Sequence, residues 1–263
     1  MTEAETEEST GTRPPPQTVQ RIWRGFLIFD LDGTLFHTES VSFPAMERTF
    51  ARLRAQGLTT LPTPSHAEQT DCYGLTMEQI WQRLLPGHPR EILLLADRYL
   101  AQEEVRLLRE GWGRLYPEVA ETVAQLSQGG YALAVASNGG DAYVQAVIDT
   151  CGLRPYFQLV ASAGALGTHD KADLVAKAAR VLEQATARSS PVCAFMVGDR
   201  ASDVAAGRKN GLATVGCLYG YGRPGELADC DHTIRRFSEL LTLAFPGISP
   251  PLGGSRRKGS GGP

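Results

Sequence analysis

The sequence predicts an α/β fold with a parallel sheet and a small helical unit inserted after the first strand. Three observations predict it. Apolar runs that suit strands alternate with helical patterns, which is typical of βαβ units. The interval 38–115 replaces that alternation with helical patterns alone. Acidic or hydroxyl side chains follow several of the runs, at the edge where open α/β sheets bind ligands.

Five apolar runs are the predicted strands. FLIF at 26–29 is too short for a helix and suits a strand that is buried on both faces. The others are YALAVA at 131–136, FQLVA at 157–161, VCAFMV at 192–197 and ATVGCL at 213–218. Because helical patterns separate the runs, the strands are expected to be parallel.

Within 38–115 the patterns predict a small bundle of helices. An apolar stripe ends at Gly57, and a further long helix is expected before Gly111. Two pairs have capping-box spacing, Ser65 with Glu68 and Thr76 with Gln79. The stripes are Phe43, Met46, Phe50 and Leu53, then Ile92, Leu95, Ala96, Tyr99 and Leu100. We expect this bundle to cover the end of the first strand as a lid, with a purely structural insert as the alternative.

Composition excludes several classes of partner. The 263 residues have a formal net charge of -3 with 21% charged residues, so no basic field indicates nucleic acid or an anionic membrane. No apolar stretch approaches the roughly 20 residues of a membrane span. The acidic amino terminus lacks the parts of a secretory signal, and a cytoplasmic protein is expected. Residues 1–20 and 249–263 are predicted to be flexible tails.

The five cysteines are an odd number, widely spaced and without a CxxC pair, which indicates reduced thiols and no disulfide framework or zinc site. Cys193 and Cys217 lie in apolar runs and are expected to be small core residues.

Asp30 and Asp32 follow the first strand, with one residue between them. Two carboxylates at the end of a hydrophobic strand are costly to desolvate unless a cation or hydrogen bonds compensate them. A bound metal is the interpretation that the sequence favours, and an acidic turn is the alternative.

Three further segments carry candidate functional side chains. Ser137, Asn138 and Gly139 follow the run at 131–136 and suit phosphate binding through a hydroxyl and backbone N–H groups, or a simple turn. Lys171 lies at the start of a predicted helix, where the helix dipole disfavours a cation, and this mismatch indicates a functional role. A solvated surface lysine is the alternative. Asp199 follows the fourth run, and Asp203 would lie in the next helical turn with Ser202 as a cap, so helix capping is an alternative for Asp203.

Taken in order, these segments resemble the four motifs of the haloacid dehalogenase-like (HAD) hydrolases. The matching residues are Asp30-x-Asp32, Ser137, Lys171, and Gly198-Asp199 with Asp203. The resemblance covers roughly residues 24–220 and is nearest to the phosphoglycolate phosphatase and β-phosphoglucomutase-like branch, in which a helical cap follows the first motif. It implies a Rossmann-like core at 21–37 and 116–248 with a cap at 38–115.

The resemblance also implies a chemical role for each motif residue. Asp30 would be the nucleophile, and Asp32 the general acid and base. Ser137, Asn138, Gly139 and Lys171 would hold the phosphoryl group. Mg²⁺ would be bound by Asp30, the backbone carbonyl of Asp32, Asp199 and Asp203.

The expected activity is a Mg²⁺-dependent phosphatase that hydrolyses a small phosphorylated metabolite through an aspartyl-phosphate. Asp32 argues against a haloacid dehalogenase, because halide chemistry needs no such acid. A phosphomutase of the β-phosphoglucomutase type and a catalytically silent binding module stay open. Candidate substrate contacts are His37, Glu39, Arg48, Arg52, Tyr73 and His169, each with an ordinary surface or packing role as the alternative. The sequence indicates neither the phosphate ester nor the oligomeric state.

Overall fold

A computed structural model describes residues 23–73, 75–168, 170–186 and 193–245. The two predicted tails, 1–20 and 249–263, and His169 lie outside these residues.

The core of the described chain is a parallel sheet whose first strand lies in its middle. The strands are β1 (Gly25–Phe29), β2 (Tyr131–Ser137), β3 (Phe157–Ser162), β4 (Cys193–Gly198), β5 (Ala213–Cys217) and β6 (His232–Ile234). Their order is β3-β2-β1-β4-β5-β6, and each neighbouring pair is parallel. The order reverses between β1 and β4, and open α/β sheets bind ligands in the crevice at such a point.

Helices fill the predicted insert and both faces of the sheet. Between β1 and β2 lie α1 (Glu39–Ala55), α2 (His66–Thr70), α3 (Met77–Leu84), α4 (Arg90–Arg109) and α5 (Val119–Gln128). After β2 come α6 (Asp141–Thr150), α7 (Ala163–Leu166), α8 (Lys171–Thr186), α9 (Ala201–Lys209) and α10 (Leu240–Ala244). The first four have no strand between them, as the patterns in 38–115 predict.

Alternation along β1 divides the hydrophobic core into two layers. Leu27 and Phe29 point to one face, where the apolar cluster continues into the helices of the insert. Phe26 and Ile28 point to the other face and pack with α8. All of β1 is buried, so this run of apolar residues suits a central strand.

Several local predictions are confirmed and several are wrong. Both capping boxes form, at Ser65 and at Thr76. The structure adds β6 and the short α7, which the apolar runs did not indicate. Cys217 is buried as expected, but Cys193 is exposed, because it begins an apolar strand without reaching its buried half.

Ser202 does not cap α9, which is a correction to the sequence prediction. It lies inside the helix, and Arg200 occupies the N-cap position. Asp203 accepts a hydrogen bond of 3.1 Å from the backbone N–H of Arg200, so it closes the first turn itself. None of the helices in the described ranges combines the length and apolarity needed to cross a membrane.

Candidate active site

Three predicted acids meet at the point where the strand order reverses. Asp30 follows β1 and Asp199 follows β4, and the Asp30 N–H donates to the carbonyl of Val197 at 2.9 Å. Asp203 lies in the first turn of α9. One carboxylate oxygen from each of Asp30, Asp199 and Asp203 lies within 4.8 Å of the others. All three side chains are buried, so their charges are poorly solvated.

Lys171 supplies a buried cation to this acidic cluster. It begins α8 and is 7% exposed. Its Nζ donates to Oδ1 of Asp30 and lies 3.0 Å from Oδ1 of Asp203. Burial alone would lower the pKa of Lys171, but the charges of Asp203 and Asp30 raise it overall, so the ammonium form is favoured.

One ammonium does not balance the cluster. Burial raises the pKa of Asp30 well above its usual value; Lys171 opposes that rise, while Asp203, Asp199 and Asp32 add to it. Burial, with the negative charge of Asp203, raises the pKa of Asp199 to about 7. The buried carboxyl groups therefore have too little positive charge near them to stabilise their ionised forms at neutral pH.

This donor set fits a hard divalent cation. Mg²⁺ prefers oxygen ligands, and carboxylates are its usual protein partners. The excess of buried negative charge around Asp30, Asp199 and Asp203 is what such an ion would neutralise. Of the four residues predicted to bind the metal, the structure brings the side chains of three together: Asp30, Asp199 and Asp203. For Asp32 the predicted ligand is the backbone carbonyl, which stays a prediction.

Close packing orients Asp199. Oδ2 of Asp199 accepts from the Tyr221 N–H at 2.7 Å, and Oδ1 accepts from the Thr34 hydroxyl at 3.3 Å. Gly33 has a φ of +80°, and a Cβ there would collide with Asp199 and the Tyr221 ring. Glycine at this position therefore provides both the backbone conformation and the space.

Asp32 stands apart from the acidic cluster and has its own hydrogen bonds. Oδ1 of Asp32 accepts 2.6 Å hydrogen bonds from the hydroxyls of Thr38 and Tyr143. Burial raises the pKa of Asp32, and these two donors only partly offset the rise. Such a carboxyl retains its proton more readily at neutral pH than an exposed aspartate does. Within the described residues no hydrogen bond engages Oδ2 of Asp32.

The three predicted phosphate-binding residues after β2 are placed differently from one another. Asn138 and Gly139 line the active-site cavity, together with Asp30, Asp32 and Lys171. Ser137 is 1% exposed, and its Oγ accepts the Gly139 N–H at 3.1 Å. It is not among the lining residues, so its contact with phosphate stays a prediction.

The cavity lies between the strand ends and the inserted helices and is partly open to solvent. Its volume is about 250 Å³, and residues of α1, α3 and α4 line it opposite the acids. Among the candidate substrate contacts, Tyr73 lines the cavity, and its hydroxyl is 2.6 Å from that of Ser42.

The other described candidates do not line the cavity. Arg48 pairs with Glu103 and Glu110, and Arg52 lies over the ring of Tyr99. His37 stacks on Tyr116 and lies 3.7 Å from Glu39. These contacts give His37, Glu39, Arg48 and Arg52 ordinary packing or surface roles, as the alternative to substrate binding predicted.

The sequence predictions missed several residues of the site. Thr38, at the N-cap of α1, and Tyr143, on α6, reach Asp32, and no local pattern shows that contact. Arg200 donates from Nη1 to the Tyr73 carbonyl at 2.5 Å and from Nε to Glu226 at 2.9 Å. On α4 a signal was present, because the cavity residues Asp97, Leu100, Ala101 and Glu104 follow helical spacing and include two acids.

Comparison with known proteins agrees with the motifs. The family described as "Haloacid dehalogenase-like hydrolase" matches residues 27–217. The chain is 28% identical over 225 residues to "Probable phosphatase IndB" of Dickeya dadantii, which covers 83% of this chain and 92% of that protein. It is 29% identical over 230 residues to a "Phosphoglycolate phosphatase" of Pectobacterium atrosepticum, covering 82% and 91% respectively.

A solved structure agrees as well. CbbY from Rhodobacter sphaeroides, in complex with phosphate, superposes with a TM-score of 0.66 at 26% identity and covers 81% of this chain and 95% of that one. The family match spans both acidic strand ends and the helices between them. The chain therefore belongs to the haloacid dehalogenase-like hydrolases and is a phosphatase of that family, which hydrolyses phosphoric monoesters.

Proposed function

We propose that this phosphatase is Mg²⁺-dependent and hydrolyses a small phosphorylated metabolite through an aspartyl-phosphate on Asp30. The observation that carries the proposal is the division of the acids into two environments. Asp30, Asp199 and Asp203 face a common centre, and Lys171 pairs with Asp30 and Asp203, whereas Asp32 accepts hydrogen bonds from Thr38 and Tyr143.

Asp30 is the nucleophile in this proposal. Lys171 donates to its Oδ1, and within the described residues no hydrogen bond engages Oδ2, the oxygen that we assign to attack. The new Oδ2–P bond forms as the P–O bond to the leaving group breaks. Bound Mg²⁺, held by Asp30, Asp199, Asp203 and the Asp32 carbonyl, would neutralise charge on the phosphoryl oxygens.

Asp32 moves the proton in both halves of the reaction. Burial raises the pKa of Asp32, which favours the protonated form that donates to the leaving alkoxide. The resulting carboxylate then takes a proton from water, whose oxygen attacks phosphorus and releases Asp30 and phosphate. Thr38 and Tyr143 hold one carboxylate oxygen of Asp32 throughout, and Oδ2 exchanges the proton.

The phosphoryl group is expected to lie between Lys171 and the loop after β2. Lys171 stays positively charged beside it, and Asn138 and Gly139, which line the cavity, would contribute polar contacts to its oxygens. We propose that the helices of 38–115 form the cap and that Arg200 holds it over the site. Arg200 contacts the Tyr73 carbonyl, and the ring centroids of Tyr73 and Tyr221 lie 4.5 Å apart. Both contacts join the insert to the core.

The first test is hydrolysis of p-nitrophenyl phosphate and a panel of phosphorylated metabolites, with Mg²⁺ and with a chelator. Asp30→Asn should lower turnover by at least about 10³-fold, because the nucleophile is lost. Asp173→Asn, an exposed aspartate on the same side of the sheet as Lys171, is the matched control and should retain activity.

An acid-quenched reaction with labelled substrate should leave phosphate on the wild-type chain and none on Asp30→Asn. Retained turnover in Asp30→Asn would contradict the mechanism. Absence of turnover with every ester, together with no Mg²⁺-dependent rise in melting temperature, would favour a silent binding module. Isomer formation from hexose 1-phosphates without phosphate release would favour a mutase.

A further inference from the structure

The part of the cavity away from the acidic cluster is lined by apolar side chains, by hydroxyl groups that are already hydrogen-bonded, and by the acceptors of Gln69, Asp97 and Glu104. Across residues 38–73 and 75–115, the lining includes the acids Asp97 and Glu104 but no lysine, arginine or histidine. The apolar lining residues of this part are Met46, Leu75, Met77, Ile80, Leu84 and Leu100. The residues of the insert therefore bring two carboxyl groups and no basic side chain to the cavity, and Arg200, which also lines it, is paired with Glu226 and the Tyr73 carbonyl.

Glu104 has no compensating partner. No hydrogen bond or ion pair to its carboxyl occurs among the described residues, whereas its neighbour Glu103 pairs with Arg48. Burial, with the charges of Asp32 and Asp97, raises the pKa of Glu104 to about 8. A bound cation would supply the positive charge that the described part of the chain does not place beside Glu104.

Gln69 gives an independent indication of the same ligand chemistry. It lines the cavity at 4% exposure, and its Nε2 donates to the Pro64 carbonyl at 2.8 Å. That bond orients the amide, because a carbonyl can only accept. Oε1 of Gln69 is buried and has no hydrogen-bond partner within the described structure. An unpaired buried acceptor is costly and is satisfied by a ligand that donates.

Glu104 lies on the side of the cavity where the leaving group of the substrate is expected to bind. Glu104, Asp32 and Tyr143 line the same cavity. The charge of Asp32 acts on Glu104, and the charge of Glu104 acts on Tyr143, which donates to Asp32, so Glu104 lies on the side of the site where the proposed general acid is held. The leaving oxygen must be within reach of Asp32. A substituent near that oxygen would therefore lie between Asp32 and α4.

We propose that the substrate's leaving group carries an amine, bound as an ammonium by Glu104 with Asp97 and Gln69 as further acceptors. This inference rests on the proposed phosphatase function and specifies its substrate class as amino-substituted phosphate monoesters. The same lining disfavours a leaving group with a carboxylate or a second phosphate, because the insert residues that would surround it offer acids and no basic side chain. It thus separates this chain's substrate from the one that its phosphoglycolate phosphatase relatives are named for.

The test compares matched esters on the wild-type enzyme with Mg²⁺. The pairs are 2-aminoethyl phosphate with 2-hydroxyethyl phosphate, and glucosamine 6-phosphate with glucose 6-phosphate. Phosphoglycolate is added as an ester whose leaving group carries a carboxylate. In at least one pair we expect kcat/KM to favour the amine by about tenfold or more, and phosphoglycolate to be the poorest small substrate. Equal rates within both pairs, or preference for phosphoglycolate, would overturn the inference.

Glu104→Gln keeps the size of the side chain and removes its charge. The amine-to-hydroxyl ratio of kcat/KM should fall by about tenfold in this variant, mainly through KM. Glu103→Gln, on the same helix but outside the cavity, should keep the wild-type ratio. An unchanged ratio in Glu104→Gln would contradict the role of Glu104. Failure of p-nitrophenyl phosphate and every ester to react would instead contradict the phosphatase mechanism itself.

Discussion

The Tyr143 hydroxyl donates a 2.6 Å hydrogen bond to Oδ1 of Asp32, across 111 positions of sequence. Tyr143 lies on α6, and its side chain is 5% exposed. Together with Thr38 it holds the carboxyl that we assign as general acid and base. Two donors on one oxygen favour the ionised carboxylate, against the effect of burial.

Tyr143→Phe should raise the pKa of Asp32, because it removes one donor to the carboxylate. The alkaline limb of the pH profile of kcat/KM reports loss of the acid's proton, so it should move to higher pH. We also expect kcat to fall by about tenfold, since Asp32 becomes less well oriented. Tyr156→Phe, outside the cavity, serves as the control. A limb that stays in place or moves to lower pH would show that Tyr143 does not act on Asp32.

Mg²⁺ affinity should fall as the pH is lowered through the titration of Asp199. The pKa of this ligand is raised to about 7 in the metal-free protein, and a protonated carboxyl must lose its proton to bind. Isothermal titration at about pH 6, 7 and 8 should show weakening approaching about tenfold per unit below that pKa. Asp173→Asn should follow the wild-type curve. A dissociation constant independent of pH would argue against Asp199 as a ligand.

Glu104→Gln should raise the melting temperature at alkaline pH and change it little in acid. The folded-state pKa of about 8 lies above the ordinary glutamate value, so the unfolded chain binds fewer protons between the two. Stability of the wild type therefore falls as the pH rises through that window, and glutamine removes the dependence. Each kcal/mol gained corresponds to about 2–4 °C for a chain of this size.

Melting curves at about pH 5 and about pH 9 measure this effect. Glu103→Gln is the control, because its carboxylate is paired with Arg48 and its removal offers no such gain. A Glu104→Gln difference that shrinks with increasing pH would contradict the raised pKa.

Arg200→Lys should loosen the cap. A lysine ammonium cannot reproduce the fork that reaches the Tyr73 carbonyl and Glu226 together. Amide hydrogen exchange in peptides covering 66–76 should become faster, while exchange in β1 stays slow. Arg208→Lys, an exposed change on α9, controls for the substitution. Unchanged exchange in 66–76 would show that Arg200 does not hold the insert.

Local patterns were sufficient for much of the fold. Hydrophobic strands and helical stripes have fixed periods, so β1 to β5 and the long helices α1 and α4 could be predicted from short windows of sequence. The capping boxes at Ser65 and Thr76 were equally local. The short strand β6 was missed, because its three residues carry too little apolar pattern.

The sequence by itself determined that Asp30, Asp32, Lys171, Asp199 and Asp203 follow strands or begin helices, which places them at one edge of a parallel sheet. It also determined the family, since four motifs in order are specific where one is not. These features depend on spacing along the chain.

Only the tertiary structure decided which acids share Lys171, which acid Thr38 and Tyr143 hold, and that Glu104 lines the cavity without a partner among the described residues. The physical reason is that protonation and charge balance depend on distances between side chains from separate elements. Those distances are set by how α4 and α6 pack against the strand ends, and no spacing along the sequence encodes them.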